Sequence, residues 1–274
     1  MFEIDEMKIF RGQDIYINDK IIVTQPTIDE IIEFGEKDYF SSAHTLTSVG
    51  ADLKWQLWEK GIDYTTIDDF ELFKKYLCHI LASRKYIYKE LTENKDKYKE
   101  ELKQVSEEDL KKMLKNPLSL ILKNIDLADF QEYEIDRSPE TILYNPKDDI
   151  TIDRPTYMLI VDAVRRIHYY KRNNEIPGNE ATKMILIEDA RDELLLNANK
   201  PYKSVLKPLI SAMMVKTGQL GNDNIWNTKI HMFLDSIKRA YKIQDAEFLM
   251  QGAYSGFASL KDIDKNRLDW TSEI

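Results

Sequence analysis

Ser48 to Leu77, SVGADLKWQLWEKGIDYTTIDDFELFKKYL, is the stretch that decides the fold class, because two helices and the joint between them fit within it. Ala51 to Lys60 predicts a short helix carrying Leu53, Trp55, Leu57 and Trp58. Gly61 ends it, since a residue without Cβ takes the left-handed position after a helix at little cost. Thr66 predicts the N-cap of a second helix, with Asp69 completing a capping-box-like pattern near the positive helix end. Ile67, Phe70, Phe73, Tyr76, Leu77, Ile80 and Leu81 then recur at spacings of three and four, so one face is expected in the core. Trp55 and Trp58 share a helix face and Leu57 lies off it, so the first helix offers apolar groups on two sides. One side is expected to pack on the fold and the other to meet a partner.

Toward the N-terminus, Ile15-Tyr16-Ile17 and Ile21-Ile22-Val23 flank the turn formers Asn18-Asp19-Lys20 and predict a β-hairpin. Pro26 ends the second strand, Thr27 and Glu30 predict a capping box, and Gly35 closes the short helix after it. A further helix over about Glu36 to Leu46 presents Tyr39, Phe40, Ala43 and Leu46. Residues 1–88 thus read as an N-terminal α+β lobe.

Beyond it, residues 89–153 read as a charged segment and a small sheet, an insertion or a linker. Lys89 to Lys115 is rich in Lys and Glu and predicts a solvated helix or surface excursion, with a helix start at Ser106. Pro117 to Leu122 predicts a short buried helix with Pro in its first turn. Between Asp129 and Asp153 the period changes to that of strands. Phe130, Tyr133 and Ile135, then Ile142 to Tyr144, then Ile150 and Ile152 are separated by Ser138-Pro139 and by Asn145 to Asp149, which predicts a small antiparallel sheet.

Residues 154–274 read as a C-terminal helical lobe. Asp153 predicts a cap, with Pro155 in the first turn, for a helix whose face is Tyr157, Met158, Ile160, Val161, Val164, Ile167 and Tyr170. Asn179 caps a helix to about Ala198, with Met184, Ile185, Ile187 and Leu194 to Leu196 among its apolar residues. Another helix is expected between Lys203 and Lys216. The last begins near Ile225, carries the stripe Ile230, Phe233, Leu234, Ile237, Ala240 and Tyr241, and runs on toward Gly252. The fold class is therefore mainly α (α+β), helical lobes with a small N-terminal hairpin and a small antiparallel sheet in the middle.

A chain of 274 residues with 43% hydrophobic and 11% aromatic content can bury a sizeable core. The formal charge of −9 repels phosphate backbones, so nucleic acid is not an expected partner. The single Cys78 forms no internal disulfide. No secretory leader precedes Met1-Phe2-Glu3 and no apolar run reaches the ~20 residues that span a bilayer, so a soluble protein of the cytoplasm is expected, with no membrane partner.

Catalytic and metal signatures are missing from the sequence. His44, His79, His168 and His231 lie far apart and form no HExxH motif or i, i+4 pair, so no metal site is expected. Cys78 and His79 are helix neighbours pointing about 100° apart, a poor nucleophile and base pair. Pairs such as Asp68-Asp69, Asp148-Asp149 and Glu188-Asp189 read as caps and solvated faces in a chain with 48 acids. Gly218 to Gly221, GQLG, has neither phosphate-loop spacing. No enzyme and no cofactor are expected. Aromatic clusters are more informative: Trp55, Trp58, Tyr64 and Phe70 near the opening stretch, and Phe248, Tyr254, Phe257 and Trp270 near the C-terminus, are the candidate partner-binding residues. Met213, Met214, Met232 and Met250 read either as gap-fillers in a core, the commoner use of methionine, or as the lining of an adaptable groove for a helical ligand.

Several segments carry a resemblance. They are QPTIDEIIEFGEKDYF from Gln25, TLTSVGADLKWQLWEKGIDYTTIDDFELF from Thr45, EDARDELLLNANKPYKSVLKPLISAMM from Glu188, TKIHMFLDSIKRAYKIQDAEFLMQGAYSGF from Thr228 and the closing KNRLDW from Lys265. Together, over about two-thirds of the chain, they resemble a family of tail-gene-cluster proteins from tailed phages of Gram-positive hosts, similar to tail assembly chaperones. The resemblance implies a non-covalent task in the host cytoplasm: binding the long helical tape-measure protein before tail tube subunits polymerise around it. Phage tail proteins, the tape measure and after it the tail tube, are the partners it implies. The alternative function is a structural component of the tail or virion, such as a connector or baseplate part.

Overall fold

Residues on both sides of Asn18-Asp19-Lys20 pair as strands β1 (Ile15–Tyr16) and β2 (Ile22–Val23), with Ile15 opposite Val23 and Tyr16 opposite Ile22. Asn18 Oδ1 accepts from the N–H groups of Lys20 and Ile21 at 2.9 and 2.7 Å and closes the turn. Ahead of the hairpin, Asp5 caps a short helix, α1 (Glu6–Phe10), which the sequence pattern does not predict. The computed structural model describes residues 4–94, 97–98, 106–135, 140–216, 223–257, 259, 261 and 263–273. The turn at Ser138-Pro139, the GQLG segment and part of the Lys/Glu stretch lie outside the described residues.

Thr27 and Glu30 make the expected capping box at the start of α2 (Ile28–Phe34), and Gly35, with φ +104°, ends it. α3 (Glu36–Thr47) comes next and buries Tyr39, Ala43 and Leu46. The remaining free N–H groups of α2 are satisfied from the other end of the chain. Ile28 and Asp29 donate to the carbonyls of Thr228 and Trp226, both at 3.0 Å, while Ile230, first residue of α12 (Ile230–Tyr254), donates to the Pro26 carbonyl at 2.9 Å. Lys229, the residue before α12, provides no side-chain cap. The two helix starts therefore cap each other through their backbones.

Three expectations for the stretch Ser48 to Leu77 are corrected. The helix expected over Ala51 to Lys60 is a 3₁₀ turn, Gly50–Asp52, followed by α4 (Lys54–Trp58), with the break at Leu53. Asp52 causes the break: its carboxylate accepts from the Val49 N–H and from Asn173, both at 2.9 Å, and holds the chain in a tighter turn. Gly61, at φ +70°, ends α4 as expected. Thr66 is not the next N-cap. Asp63 folds residues 63–66 into a turn that takes the Thr66 hydroxyl, and Asp68 caps α5 (Asp69–Leu72), accepting from Phe70 and Glu71 at 3.0 and 3.1 Å. Between α5 and α6 (Cys78–Leu81) lies a π-turn, Phe73–Leu77. Its extra residue rotates α6 by about 100°, so Ile80 faces outward while Cys78 and Leu81 are buried. The π-turn also brings Lys74 inside, where its ammonium donates to Thr141 Oγ1 and the Thr141 carbonyl at 2.5 and 3.1 Å and pairs with Glu71 at 2.6 Å.

The middle of the chain behaves as charged surface and sheet. α7 (Lys85–Glu93) and α8 (Glu107–Lys112), the latter capped by Ser106, bury no residue. Pro117 to Leu122 is not a helix. It forms turns along the free edge of β2, with Thr24 donating to the Ile121 carbonyl at 2.9 Å and Lys123 to the Ile22 carbonyl at 3.0 Å, and it buries Leu118, Ile121 and Leu122. Unpaired backbone on that edge outweighs the local helical pattern. β3 (Gln131–Glu134), β4 (Thr141–Asn145) and β5 (Ile150–Ile152) form the expected three-stranded antiparallel sheet, Tyr133 opposite Ile142 and Leu143 opposite Ile152.

Asp153 caps α9 (Arg154–His168), which buries Tyr157, Ile160, Val161, Val164 and Ile167. Met158 points to solvent, and Tyr169 at φ +57° ends the helix before Tyr170. Asn179 caps α10 (Glu180–Asn197), which buries Lys183 and Ile187 but exposes Ile185 and Leu194 to Leu196. α11 (Leu206–Lys216) is capped from a distance: Glu36 accepts from Ser204 and the Val205 N–H, both at 2.6 Å, and from Leu206 at 2.8 Å. α12 begins at Ile230 rather than Ile225, and α13 (Lys265–Leu268) packs on its far end. The architecture is mainly α with two small antiparallel sheets, and buried side chains from Ile4 to Ile237 form one contiguous cluster. At its centre α9 touches α3, α5, β2 and α12.

His168 is the polar group at that centre. The Val164 carbonyl can only accept, so Nδ1 donates to it at 2.8 Å and Nε2 accepts the Tyr39 hydroxyl proton at 2.8 Å. Burial pushes the imidazole down to about 4 from 6.5, against the opposing effect of the Val164 bond. The unfolded chain then binds a proton that the folded one refuses. Stability is expected to fall by about 3 kcal/mol as pH drops from 6.5 to 4, as read by urea unfolding and by NMR titration of His168. A His168 that titrates near its ordinary value contradicts this. Gly50→Ala drives a methyl into the Tyr64 carbonyl and is expected to cost about 3 kcal/mol, whereas Gly61→Ala meets open space and costs only the left-handed strain of about 1 kcal/mol.

Candidate partner-binding site

The candidate aromatics divide by where the fold places them. Phe70 is 2% exposed, with its ring centroid 5.6 Å from that of Tyr157 and 6.5 Å from that of Phe73, and Tyr64 is 4% exposed; both belong to the core. On α4, Leu57 faces the core as expected, but the side carrying Trp55 is covered by α10 of the same chain, with the Arg191 guanidinium 5.6 Å from the Trp55 ring centre. Two ion pairs fix that contact: Lys183 with Asp63 and Lys54 with Glu175, both at 2.6 Å. The Lys183 bond, joined by Thr65, holds the Asp63 carboxyl down to about 2. Trp58 remains 44% exposed beside this packed face.

At the C-terminal end the arrangement is open. Ala246, Met250 and Tyr254 recur every four residues along one face of α12, and α13 closes a groove over them with Leu268 and Trp270. The groove encloses about 610 Å³, on the scale of a pocket for one or two bulky side chains. Tyr254 is 80% exposed and Trp270 53%. Phe248 and Phe257 are also exposed, but Phe248 sits on another face of the helix and Phe257 past its end, so the groove gathers two of the four C-terminal candidates.

Hydrogen bonds hold α13 where the groove needs it. Arg267 makes a two-pronged contact with Asp245 at 2.7 and 3.0 Å. Arg239 donates to the carbonyls of Trp270 and Ser272 at 2.5 and 2.9 Å, and Lys242 reaches Ser272 and Glu273. These bonds anchor the backbone beside Trp270 and leave its ring free. Ala246 and Leu268 are lining residues that a search for aromatics overlooks; the spacing of four from Ala246 through Met250 to Tyr254 is the signal that finds them.

Among the described residues no group of three His, Cys, Asp or Glu side chains is placed to hold a metal ion. Burial pushes the Cys78 thiol up to about 11, so it stays protonated at neutral pH. No helix among the described residues is long and apolar enough to cross a membrane.

Residues 199–274 match the domain family described as the YomV second domain, a phage-type domain. The matched segment contains α11, α12 and α13, and with them the whole groove. No curated protein and no solved structure matches the chain.

Placement gives a direct mutational contrast. Phe70→Ala is expected to cost about 3–5 kcal/mol, as a large buried ring does, while Tyr254→Ala and Trp270→Ala stay within about 0.5 kcal/mol of the parent, measured by urea unfolding. A large loss of stability in either groove variant would make those rings part of the core.

Proposed function

We propose that the protein is a non-enzymatic phage tail assembly chaperone, and that the groove between α12 and α13 holds an amphipathic helical segment of the tape-measure protein. One observation carries the proposal: an open apolar groove with two exposed aromatic anchors lies wholly inside the segment that matches a phage-type domain. The chemistry of the groove suits a helical ligand. Met250 supplies an adaptable thioether floor, and Tyr254 and Trp270 supply rigid walls between which bulky residues at helical spacing insert. Exposed Glu247 at the rim, in a chain of net charge −9, favours a ligand with basic residues flanking its apolar stripe. Covering such a stripe keeps an unassembled tape measure from aggregating, and the negative charge keeps the complex soluble.

Co-expression with a phage tape-measure protein tests the reading. The parent protein is expected to keep the partner soluble and to co-purify with it, and Tyr254→Ala/Trp270→Ala to weaken capture at least about tenfold while remaining folded. Unchanged solubility and assembly of the tape measure without this protein would overturn the proposal. Mass spectrometry of mature particles should find no copies of the chain; stoichiometric copies would make it a virion component instead.

A further inference from the structure

A second cavity, of about 680 Å³, lies between α1, the end of α9 and the first three turns of α12, and its charge runs against that of the chain. Its basic side chains come from Arg165, Arg166, Lys171, Arg172, Lys238 and Arg239. Three of these are already engaged. Arg166 pairs with Asp162 at 2.9 Å, Arg172 with Asp69 at 3.0 Å, and Arg239 with the backbone beside Trp270. Four acids also line the cavity: Asp162 is held in that pair, Glu6 lies 3.9 Å from the same Arg166, Asp235 accepts from the Tyr169 hydroxyl at 2.6 Å, and exposed Glu273 sits at the rim, so six bases face four acids.

Arg165, Lys171 and Lys238 are left over. Arg165 is half-buried and donates to the Thr47 carbonyl at 2.6 Å, a neutral group that takes up one of its donors. Among the described residues neither Lys171 nor Lys238 has a carboxylate within ion-pair distance; the Lys238 ammonium lies 3.7 Å from the centre of the Tyr169 ring, which also stacks with His231. The left-handed turn at Tyr169 brings Lys171 round toward Lys238. Basic residues at the end of α9 are favoured by the helix dipole, which accounts for Arg165 and Arg166. No helix end accounts for Lys238, which sits in the third turn of α12. Burial lowers the proton affinity of Lys238 and the charge of Lys171 lowers it further, against the smaller opposing pull of Asp235. Exposed Met7 and Phe10 of α1 form an apolar lip beside this charge.

We infer that this cavity is a binding site for a small phosphate-bearing anion with at least two negative charges, held by Lys171, Lys238 and Arg165. Two ammonium groups and a guanidinium with donors to spare match the oxygens of a diphosphate, and the apolar lip can cover an organic substituent. The site is separate from the α12–α13 groove, so it stands or falls independently of the chaperone reading.

Isothermal titration of the full chain with inorganic pyrophosphate and, separately, with ATP tests the inference. Saturable binding with a dissociation constant well below about 1 mM is expected, weakened at least tenfold in Lys171→Met/Lys238→Met and unchanged in Lys147→Met, which alters an exposed lysine elsewhere. The double variant should melt close to the parent, because neither ammonium holds an ion pair among the described residues and burial already disfavours the Lys238 charge. Tighter binding of ATP than of pyrophosphate would assign the lip to the organic part, and equal binding would assign the site to the diphosphate alone; both support the inference. No saturable binding, equal binding by the double variant, or a marked loss of its stability would overturn it. Preference for a single-stranded oligonucleotide over both probes would overturn the assignment to a small ligand.

Discussion

Each helix begins with N–H groups that its own turns cannot satisfy, and in this chain two such beginnings, some two hundred residues apart, satisfy each other. Pro26 to Asp29 and Trp226 to Ile230 run antiparallel, exchanging backbone hydrogen bonds of 2.9 to 3.0 Å, so that α2 and α12 start from one shared junction. Gly12 presses on the Lys229 side chain at the same place, where a Cβ would collide with it. Glu36 repeats the device by capping α11 from the start of α3. The phage-type segment from residue 199 is thereby built onto the first forty residues, and its Leu206, Ile210, Ile230 and Phe233 enter the same buried cluster as Ile28, Ile31 and Tyr39.

From this junction α12 changes character along its length. Its first turns bury Ile230, Phe233 and Ile237, whereas Tyr241, Phe248 and Tyr254 further on are exposed. A helix of 25 residues fixed at one end serves as an arm, and the groove with Met250, Tyr254 and Trp270 lies at its free end. The arm joins binding to the fold through geometry alone: the core sets where α12 starts, and α13, clamped by Arg267 to Asp245, sets the width of the groove. The basic cavity lies instead against the buried half of α12, where charge can be held rigidly.

What could be read from the sequence was what local chemistry decides. The hairpin around Asn18, the Thr27 capping box, the caps at Ser106, Asp153 and Asn179 and the three-stranded sheet each depend on a few adjacent residues. Contacts made elsewhere in the chain decided the rest. Asp52 breaks a helical pattern by bonding Asn173, the edge of β2 unwinds Pro117 to Leu122, and the π-turn at Phe73–Leu77 moves Ile80 outward by one added residue. The candidate site divides in the same way. Aromatic content flagged Tyr64 and Phe70 together with Tyr254 and Trp270, because composition does not separate a ring that fills the core from one that waits at the surface. Spacing separates them better, since Ala246, Met250 and Tyr254 mark the face of α12 along which Leu268 and Trp270 close the groove.

Hydrogen exchange at the shared junction tests the central claim most directly, that the two helix starts hold the N- and C-terminal parts as one structure. The amides of Ile28, Asp29 and Ile230 should exchange with a single free energy, equal to that of global unfolding, while amides beyond Phe248 exchange earlier by local opening. If Ile230 and the first turns of α12 exchange well before Ile28 and Asp29, the C-terminal helices open on their own and the junction does not hold the fold together.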